Sequence, residues 1–520
     1  MNKIRVRFAP SPTGALHIGG IRTALYNYLL AKKFNGTFIL RIEDTDQGRF
    51  VPGAEEYIIE ALRWAGIIPD EGVGFGGQYG PYRQSERKAI YAEYASQMVQ
   101  SGHAYYAFDT PEELDIAREA AKNEGNHTFK YDASIRSRLR NSLTLPADIV
   151  GQLLEQGAPY VIRLFVQAGQ DIVIQDLVRG EVVFKSDELD DKILLKSDGM
   201  PTYHLANVVD DTLMEITHVI RGEEWLPSTA HHVLLYRALG REAQMPAFAH
   251  LPLILKPDGK GKLSKRDGLR LGIPVFPIAW QGDTPEESFK GFREFGFLPQ
   301  AMVNFMAFMG WNPGTEQEIF SMEELIEAFS IEKIGKSGAR FDYDKARWFN
   351  QQYLHATDDA TLAGLTAPIV RAGGYEPTDA YLQAFCRLMK ERVTLLPEFW
   401  EKGAWFFTGV QEYDEANIKK RWSAERRLLF DQLLTELEAL PQSAWQGEGE
   451  ALKATVEAFM QANGLKPGDV LPVLRIALVG NMQGPAVFEL MAVFGSVETS
   501  ARLAKAWERF DQLAVHLPSA

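Results

Sequence analysis

The chain has 520 residues, 46% hydrophobic and 24% charged, with no low-complexity tract; it is too long for one hydrophobic core and too apolar for disorder, and roughly one domain per 150 residues gives three or four. A net charge of −14 argues against a wholesale electrostatic grip on nucleic acid while leaving room for local basic stripes. The lone cysteine, Cys386, excludes an internal disulfide and any Cys-rich zinc site, and it fits a reducing cytoplasm.

Arg5 to Gly20 reads as strand, tight loop and helix. Arg5, Val6, Arg7 and Phe8 alternate polar and apolar, Pro10 and Pro12 end the strand, and after Gly14 the residues Leu16, Gly20, Ala24 and Tyr28 fall at helical steps. In an open parallel sheet such a turn sits where ligands bind, with a positive helix start suited to phosphate. Ser11 and Thr13 offer hydroxyls there, Gly14, Gly19 and Gly20 leave the backbone approachable, and His17 on the first helical turn can donate to a phosphate oxygen. On the same residues His17 can equally be a surface histidine, and Ser11 or Thr13 an ordinary helix cap. Arg5 and Arg7 also interrupt any leader-like apolar run, and no stretch is apolar enough to span a bilayer, so the expectation is a cytoplasmic chain without a membrane segment.

The next stretch, Thr37 to Asp46, reads as an apolar strand that ends abruptly in Glu43, Asp44 and Asp46. These acids could bind an ammonium group or a metal, or simply be solvated. A helix is expected from about Ala54 to Ala65. Gly72-Val-Gly-Phe-Gly-Gly77 matches a dinucleotide fingerprint letter for letter, but Gly80-Pro81 follows where a helix should open, so a flexible loop with no preceding strand is expected instead. From Ala104 to Leu195 the character changes: a charged helix over Pro111 to Asn123, a basic patch at Arg136, Arg138 and Arg140, and short strands at Tyr160 to Leu164 and Ile172 to Ile174. The strand-loop-helix rhythm returns with Pro201 to Asn207 and Thr217 to Trp225, and Arg221 stands at a strand end placed for an anionic group. His231 and His232 are adjacent and cannot chelate as an i, i+4 pair would. Lys256 to Arg266 interleaves lysines with glycines and suits a mobile cationic loop over a polyphosphate, or a solvated hairpin tip.

From about Pro299 the pattern is almost wholly helical. Met302, Phe305, Met306 and Met309 form a core stripe, and Trp422, Leu428, Leu429, Leu433 and Leu437 continue such faces. Arg421, Arg426 and Arg427 beside Trp422 could stack on bases or form one solvated face.

Two of these signals in one chain, Pro10-Ser-Pro-Thr-Gly-Ala-Leu-His-Ile-Gly19 and Lys262-Leu-Ser-Lys-Arg266, resemble the paired ATP-binding signatures of class I aminoacyl-tRNA synthetases; Arg41-Ile-Glu-Asp-Thr-Asp46 and Arg221-Gly-Glu-Glu-Trp225 resemble the glutamyl-tRNA synthetase subgroup. The resemblance spans nearly the whole chain. It implies an α/β Rossmann-type nucleotide-binding catalytic domain with an α+β insertion, followed by an all-α C-terminal anticodon-binding region. The expected divisions are residues 1–105 for the first catalytic half, 106–198 for an inserted acceptor-stem-binding domain, 199–270 for the second half with the lysine loop, 271–350 for a stem-contact domain and 351–520 for the anticodon region.

By motif, the resemblance implies that Arg7, Ala9, Ser11, Glu43, Tyr203, Asn207 and Arg221 bind glutamate: Ser11 and Glu43 at the α-ammonium group, and Arg7, Tyr203 and Arg221 at the side-chain carboxylate. Thr13, His17, Gly19, Gly20, Glu224, Lys262, Ser264 and Lys265 would bind ATP, with His17, Lys262 and Lys265 catalytic. Mg2+ would arrive with ATP. No protein-bound metal is expected, because the zinc site of some relatives has no cysteine here and only His103 and His127 nearby. The implied partners are tRNA(Glu), L-glutamate and ATP, the implied state a monomer, and the implied reaction ATP-dependent glutamylation of tRNA through an adenylate. The alternatives are an enzyme that also charges tRNA(Gln), a glutaminyl enzyme, a small-molecule nucleotidyltransferase of the same superfamily, and a non-enzymatic RNA-binding or regulatory paralogue. The stretch from Leu269 to Glu294 is longer than the resemblance leads one to expect, and no role is read for it.

Overall fold

The computed structural model describes residues 3–125, 127–282 and 284–514. They form two compact units, one reaching Glu294 and resuming over Leu298–Phe349, the other made of Phe295–Phe297 and the chain from Asn350 onward.

The first unit begins with β1 (Arg5–Phe8), α1 (Ile18–Lys33), β2 (Thr37–Leu40), α2 (Ala54–Trp64) and β3 (Glu71–Gly72). β1 pairs parallel with β2, and β2 with β3. All four residues of β1 are buried, the two arginines included. The alternation therefore does not mark a solvated face. Helices cover the sheet, and each arginine is matched instead: Arg5 forks onto Glu71 at 2.9 and 3.1 Å, and Arg7 onto Asp211. α1 buries Ile18, Ile21, Leu25 and Leu29 completely, each contributing about 1.5–3 kcal/mol.

The glycine-rich stretch is a correction. A short strand, β3, does precede it, and the loop is a turn closed by Gly72 N–H donating to Gly76 O at 2.8 Å. At Gly72, φ is +134°, and a Cβ would fall 2.2 Å from Leu40 O, so only glycine fits beside β2.

After α3 (Lys88–Gln100) come β4 (Ala104–Ala107), α4 (Pro111–Asn123), α5 (Ala147–Glu155), β5 (Val161–Leu164), β6 (Asp171–Asp176), β7 (Gly180–Lys185) and β8 (Ile193–Leu195). α4 begins in a capping box of Thr110 and Glu113. β4, β5 and β8 make their own antiparallel sheet. β6 and β7 leave it. They join β9 (His218–Gly222) and β10 (Ala247–Leu251) in a sheet ordered β7-β6-β10-β9. Two of the three arginines of the basic patch are paired, Arg136 with Asp191 and Arg138 with Glu124, so no free cationic surface of three results.

α6 (Tyr203–Leu213) precedes β9, α7 (Leu226–Ala238) follows it, and β11 (Ile254–Leu255) leads to α8 (Lys265–Leu271). Thr217 N–H donates to Arg5 O at 2.9 Å, bringing β9 alongside β1. The two halves of the parallel architecture thus present their strand ends together. The stripe Met302, Phe305, Met306 and Met309 is core throughout.

The second unit is helical, with long elements over Asp359–Ala372, Ala424–Glu438, Pro467–Val479 and Val487–Ala514. Leu428 is 72% exposed, and Phe430 takes the inward position instead. Trp422 is buried and stacks on Trp507 at 5.0 Å, with its indole N–H on Asp511. Arg426 pairs with Asp469, and Arg427 with Asp431 and Asp511. This tryptophan is core, and two of its neighbouring arginines are held by carboxylates.

Candidate active site

A cleft of about 670 Å3 opens where the β1–α1 loop, the end of β2, α6, the end of β9 and the lysine loop meet. Every residue expected to bind glutamate or ATP lines it: Arg7, Ala9, Ser11, Thr13, His17, Gly19, Gly20, Glu43, Tyr203, Asn207, Arg221, Glu224, Lys262, Ser264 and Lys265. The loop after β1 is laid over β2 by Glu43 N–H on Pro10 O and by Val51 N–H on Pro12 O, both 3.0 Å, and Ser11 and Thr13 are left exposed.

His17 is the N-cap of α1, one position before its first turn. Its Nδ1 accepts Gly19 N–H at 3.1 Å. That assigns the proton to Nε2, which is buried and without a protein partner. Burial, aided by Lys265 and Lys262, lowers its pKa to about 3. The ring is therefore a neutral donor. At Gly20 a Cβ would lie 2.4 Å from Leu16 Cδ1, so any side chain there would require Leu16 to move.

Behind the loop lies a buried charge network that sequence reasoning missed. Asp211 accepts from Arg7 at 3.0 and 3.1 Å and from the fully buried Arg41 at 2.7 Å; Arg41 also reaches Glu43 at 3.0 Å. Asp210 accepts from Arg87, Gln84 and Tyr91. Three guanidinium groups thus meet three carboxylates, in keeping with the rule that buried charges are paired. The signal was present, since Asp210 and Asp211 follow Val208 and Val209 in a helix whose neighbours are apolar. Burial raises the pKa of Glu43 against the pull of Arg41 and Arg7, and Asn207 donates to it at 3.1 Å. A cation beside it would be stabilising. Asp44 accepts the N–H and hydroxyl of Ser85, and Asp46 pairs with Arg49, so these two acids orient the loop.

Arg221 is held differently. It is 5% exposed, yet among the described residues it forms no ion pair. Its donors rest on neutral acceptors: Tyr203 OH and Thr229 Oγ1 at 2.8 Å, His250 Nε2 at 3.1 Å, and more distantly Trp225 O at 3.3 Å and His232 Nδ1 at 3.4 Å. A buried cation without a counterion invites an anionic ligand.

On the opposite side Lys262 pairs with Glu224 at 2.7 Å, while Lys265 forms no ion pair among the described residues. The Ser264 hydroxyl is turned to Asp267 in the capping box of α8. The stretch without an expected role lies directly against this wall. Val275 O accepts Ile18 N–H at 3.0 Å, and Phe276 meets the His17 ring edge-on at 6.2 Å and lies 5.8 Å from Lys265 Nζ. Among the described residues no group of three or more His, Cys, Asp or Glu stands close enough to hold a metal ion.

A family model described as class I tRNA synthetases (E and Q), catalytic domain, matches residues 3–348, and one for an anticodon binding domain matches residues 355–507. The chain belongs to the class I tRNA synthetases of this E and Q family. Among its relatives, a glutamate–tRNA ligase of Porphyromonas gingivalis is 54% identical over 97% of this chain and 99% of its own length, and one of Parabacteroides distasonis is 52% identical over the same shares. The solved glutamate tRNA ligase of Elizabethkingia meningosepticum, crystallised in complex with its amino acid, is 48% identical, with a TM-score of 0.92 covering 98% of this chain and 99% of that one.

Proposed function

We propose that this chain attaches L-glutamate to tRNA(Glu) in two ATP-dependent steps. The observation that carries the reading is the buried, unneutralised Arg221 in the same cleft as Glu43. A cationic subsite for the side-chain carboxylate and an anionic one for the α-ammonium group match glutamate at both ends, whereas a neutral amide would leave Arg221 without a counterion. Arg7 adds to the carboxylate subsite through Nη1, since Nε and Nη2 are engaged by Asp211.

In the first step a glutamate α-carboxylate oxygen attacks the α-phosphorus of ATP, the bond to the bridging oxygen breaks, and pyrophosphate leaves. His17 donates its Nε2 proton as a hydrogen bond to a phosphate oxygen without giving it up. Lys262 and Lys265 balance the charge that grows on the phosphates. Lys262 must exchange Glu224 for phosphate to do so, which the glycines of its loop permit. In the second step a ribose hydroxyl of the tRNA terminus attacks the adenylate carbonyl carbon, the bond from that carbon to the phosphate oxygen breaks, and AMP leaves with the hydroxyl proton taken up on its phosphate. No enzyme-bound acyl intermediate is formed, and positioning with electrostatic stabilisation supplies the rate. Mg2+ would be held by the ATP phosphates and would supply further charge balance there, in keeping with that ion's preference for substrate phosphates over an all-protein cage.

In this reading the enzyme acts as a cytoplasmic monomer; no described helix is long and apolar enough to cross a membrane. Glutamate-dependent charging of purified tRNA(Glu), run in parallel with tRNA(Gln), tests it. Acylation of tRNA(Glu) is the expected result, and none with active-site-titrated enzyme would refute it.

A further inference from the structure

Resting on the reading of Arg221 as the seat of the substrate side chain, we infer that Asp176 and His250 are positioning residues that aim Arg221 and keep its charge available for that carboxylate. β6 alternates, with Ile172, Ile174 and Asp176 turned inward. Two inward positions are core. Asp176 at the strand end is a carboxylate in the same row.

The strand pairing brings the three residues together. β10 lies between β6 and β9, with Phe248 opposite Asp176 and His250 opposite Arg221. Asp176 Oδ1 accepts the N–H groups of Val178 and Arg179 at 2.9 and 2.8 Å, and Oδ2 lies 2.6 Å from His250 Nδ1. A carboxylate so anchored acts as acceptor, and the proton is assigned to Nδ1. Nε2 then presents its lone pair to the Nε–H of Arg221 at 3.1 Å, with Thr229 Oγ1 3.2 Å away. Burial holds His250 below its ordinary pKa, so the ring stays neutral, while its hydrogen bond and the backbone N–H groups keep Asp176 below its own despite burial.

A comparison within the site shows what the intervening ring achieves. Arg7 meets Asp211 directly, and that carboxylate already answers its charge. Arg221 meets Asp176 only through a neutral imidazole. The direction of its Nε–H is fixed, yet no carboxylate touches the guanidinium, and its two longest contacts, at 3.3 and 3.4 Å, leave N–H groups for an incoming ligand. The β6–β7 hairpin therefore supplies part of the amino-acid subsite from behind without lining the cleft.

Steady-state charging of tRNA(Glu) by the full-length enzyme, titrating glutamate and ATP separately, tests this. In His250→Leu and Asp176→Asn the KM for glutamate is expected to rise at least about tenfold while that for ATP stays within about twofold, and His250→Gln, whose carbonyl can still accept from Arg221, is expected to remain within about threefold of the parent. An unchanged glutamate KM in folded His250→Leu or Asp176→Asn, or glutamate and ATP constants rising together, would overturn the inference. Should both fail to fold, His250→Gln decides: a glutamate KM near the parent's supports it, and a tenfold rise overturns it. Arg221→Ala in the same series separates the two ideas, because an unchanged glutamate KM there removes the underlying reading, whereas a raised one beside a silent His250→Leu removes only the role of the pair.

Discussion

Replacing Arg221 by alanine is the sharpest perturbation of the site. The guanidinium is 5% exposed and has no protein counterion among the described residues, so a bound carboxylate interacts with a charge that nothing else in contact neutralises. Truncating one partner of such a buried pair costs about 2–5 kcal/mol; at about 1.4 kcal/mol per decade, kcat/KM for glutamate should fall by roughly 30-fold to several thousand-fold. Arg7, whose Nε and Nη2 are held by Asp211, reaches the same subsite through Nη1 alone and compensates only in part. The groups proposed to contact phosphate, His17, Lys262 and Lys265, share none of the bonds of Arg221, so the KM for ATP should stay within about threefold. The assay is charging with radiolabelled glutamate, each substrate titrated in turn, with thermal unfolding as a check on folding. Equal loss toward glutamate and ATP, or a fall in glutamate kcat/KM of less than about tenfold, would show that Arg221 does not receive the side chain.

Three further outcomes follow from the same geometry. Phe276→Ala, which empties the space beside His17 and Lys265, should destabilise the protein by about 3–5 kcal/mol in urea unfolding and raise the KM for ATP more than that for glutamate; the reverse order would detach this residue from the phosphate wall. Burial lowers the pKa of His17 and of His204 to about 3, so below about pH 6.5 the unfolded chain takes up protons that the folded chain refuses. Stability should therefore be full above that pH and fall as the pH drops toward 3, each group accounting for about 2 kcal/mol lost at pH 5; a urea midpoint unchanged between pH 7.5 and pH 5 would contradict the assignment. Cys386 is fully buried against Thr366, and burial pushes its thiol up to about 11; a thiol reagent at pH 8 should modify it at a rate set by unfolding, and rapid reaction with the native protein would show the packing to be wrong.

The site was legible where its chemistry lies close along the chain. Arg5 to Gly20 and Lys262 to Arg266 carry their geometry locally, in prolines that break a strand, glycines that open a turn and a histidine that starts a helix. Arg221 was legible as a cation at a strand end. Its neutral surroundings were not, because Thr229 follows eight positions later, His250 arrives on the next strand and Asp176 comes from a hairpin read as part of an insertion. Strand order, which no local pattern encodes, put them side by side. The same holds for Asp211, whose meaning depends on β1 and β2 lying beside α6. Val275 and Phe276 carried no readable role because their apolar run says only that something is buried, and not that the object covered is His17. In the helical unit, periodicity found the face carrying Leu433 and Leu437 but put Leu428 on it, since neighbouring leucines at 428 and 429 satisfy a helical stripe in two phases.

The capping role of His17 ties two unrelated demands to one side chain. Nδ1 closes the first turn of α1, while Nε2 is buried without a protein partner in a residue that lines the cleft. Serine, aspartate or asparagine would cap a helix as well or better, but none extends a ring donor to the far side; lysine would bring charge to the phosphate while leaving Gly19 N–H without its acceptor. In the proposed reaction, folding and chemistry draw on opposite atoms of one imidazole, and a substitution that satisfies either fails the other. The start of the helix is then also the start of the proposed reaction site, and the coding sequence has little freedom at that position.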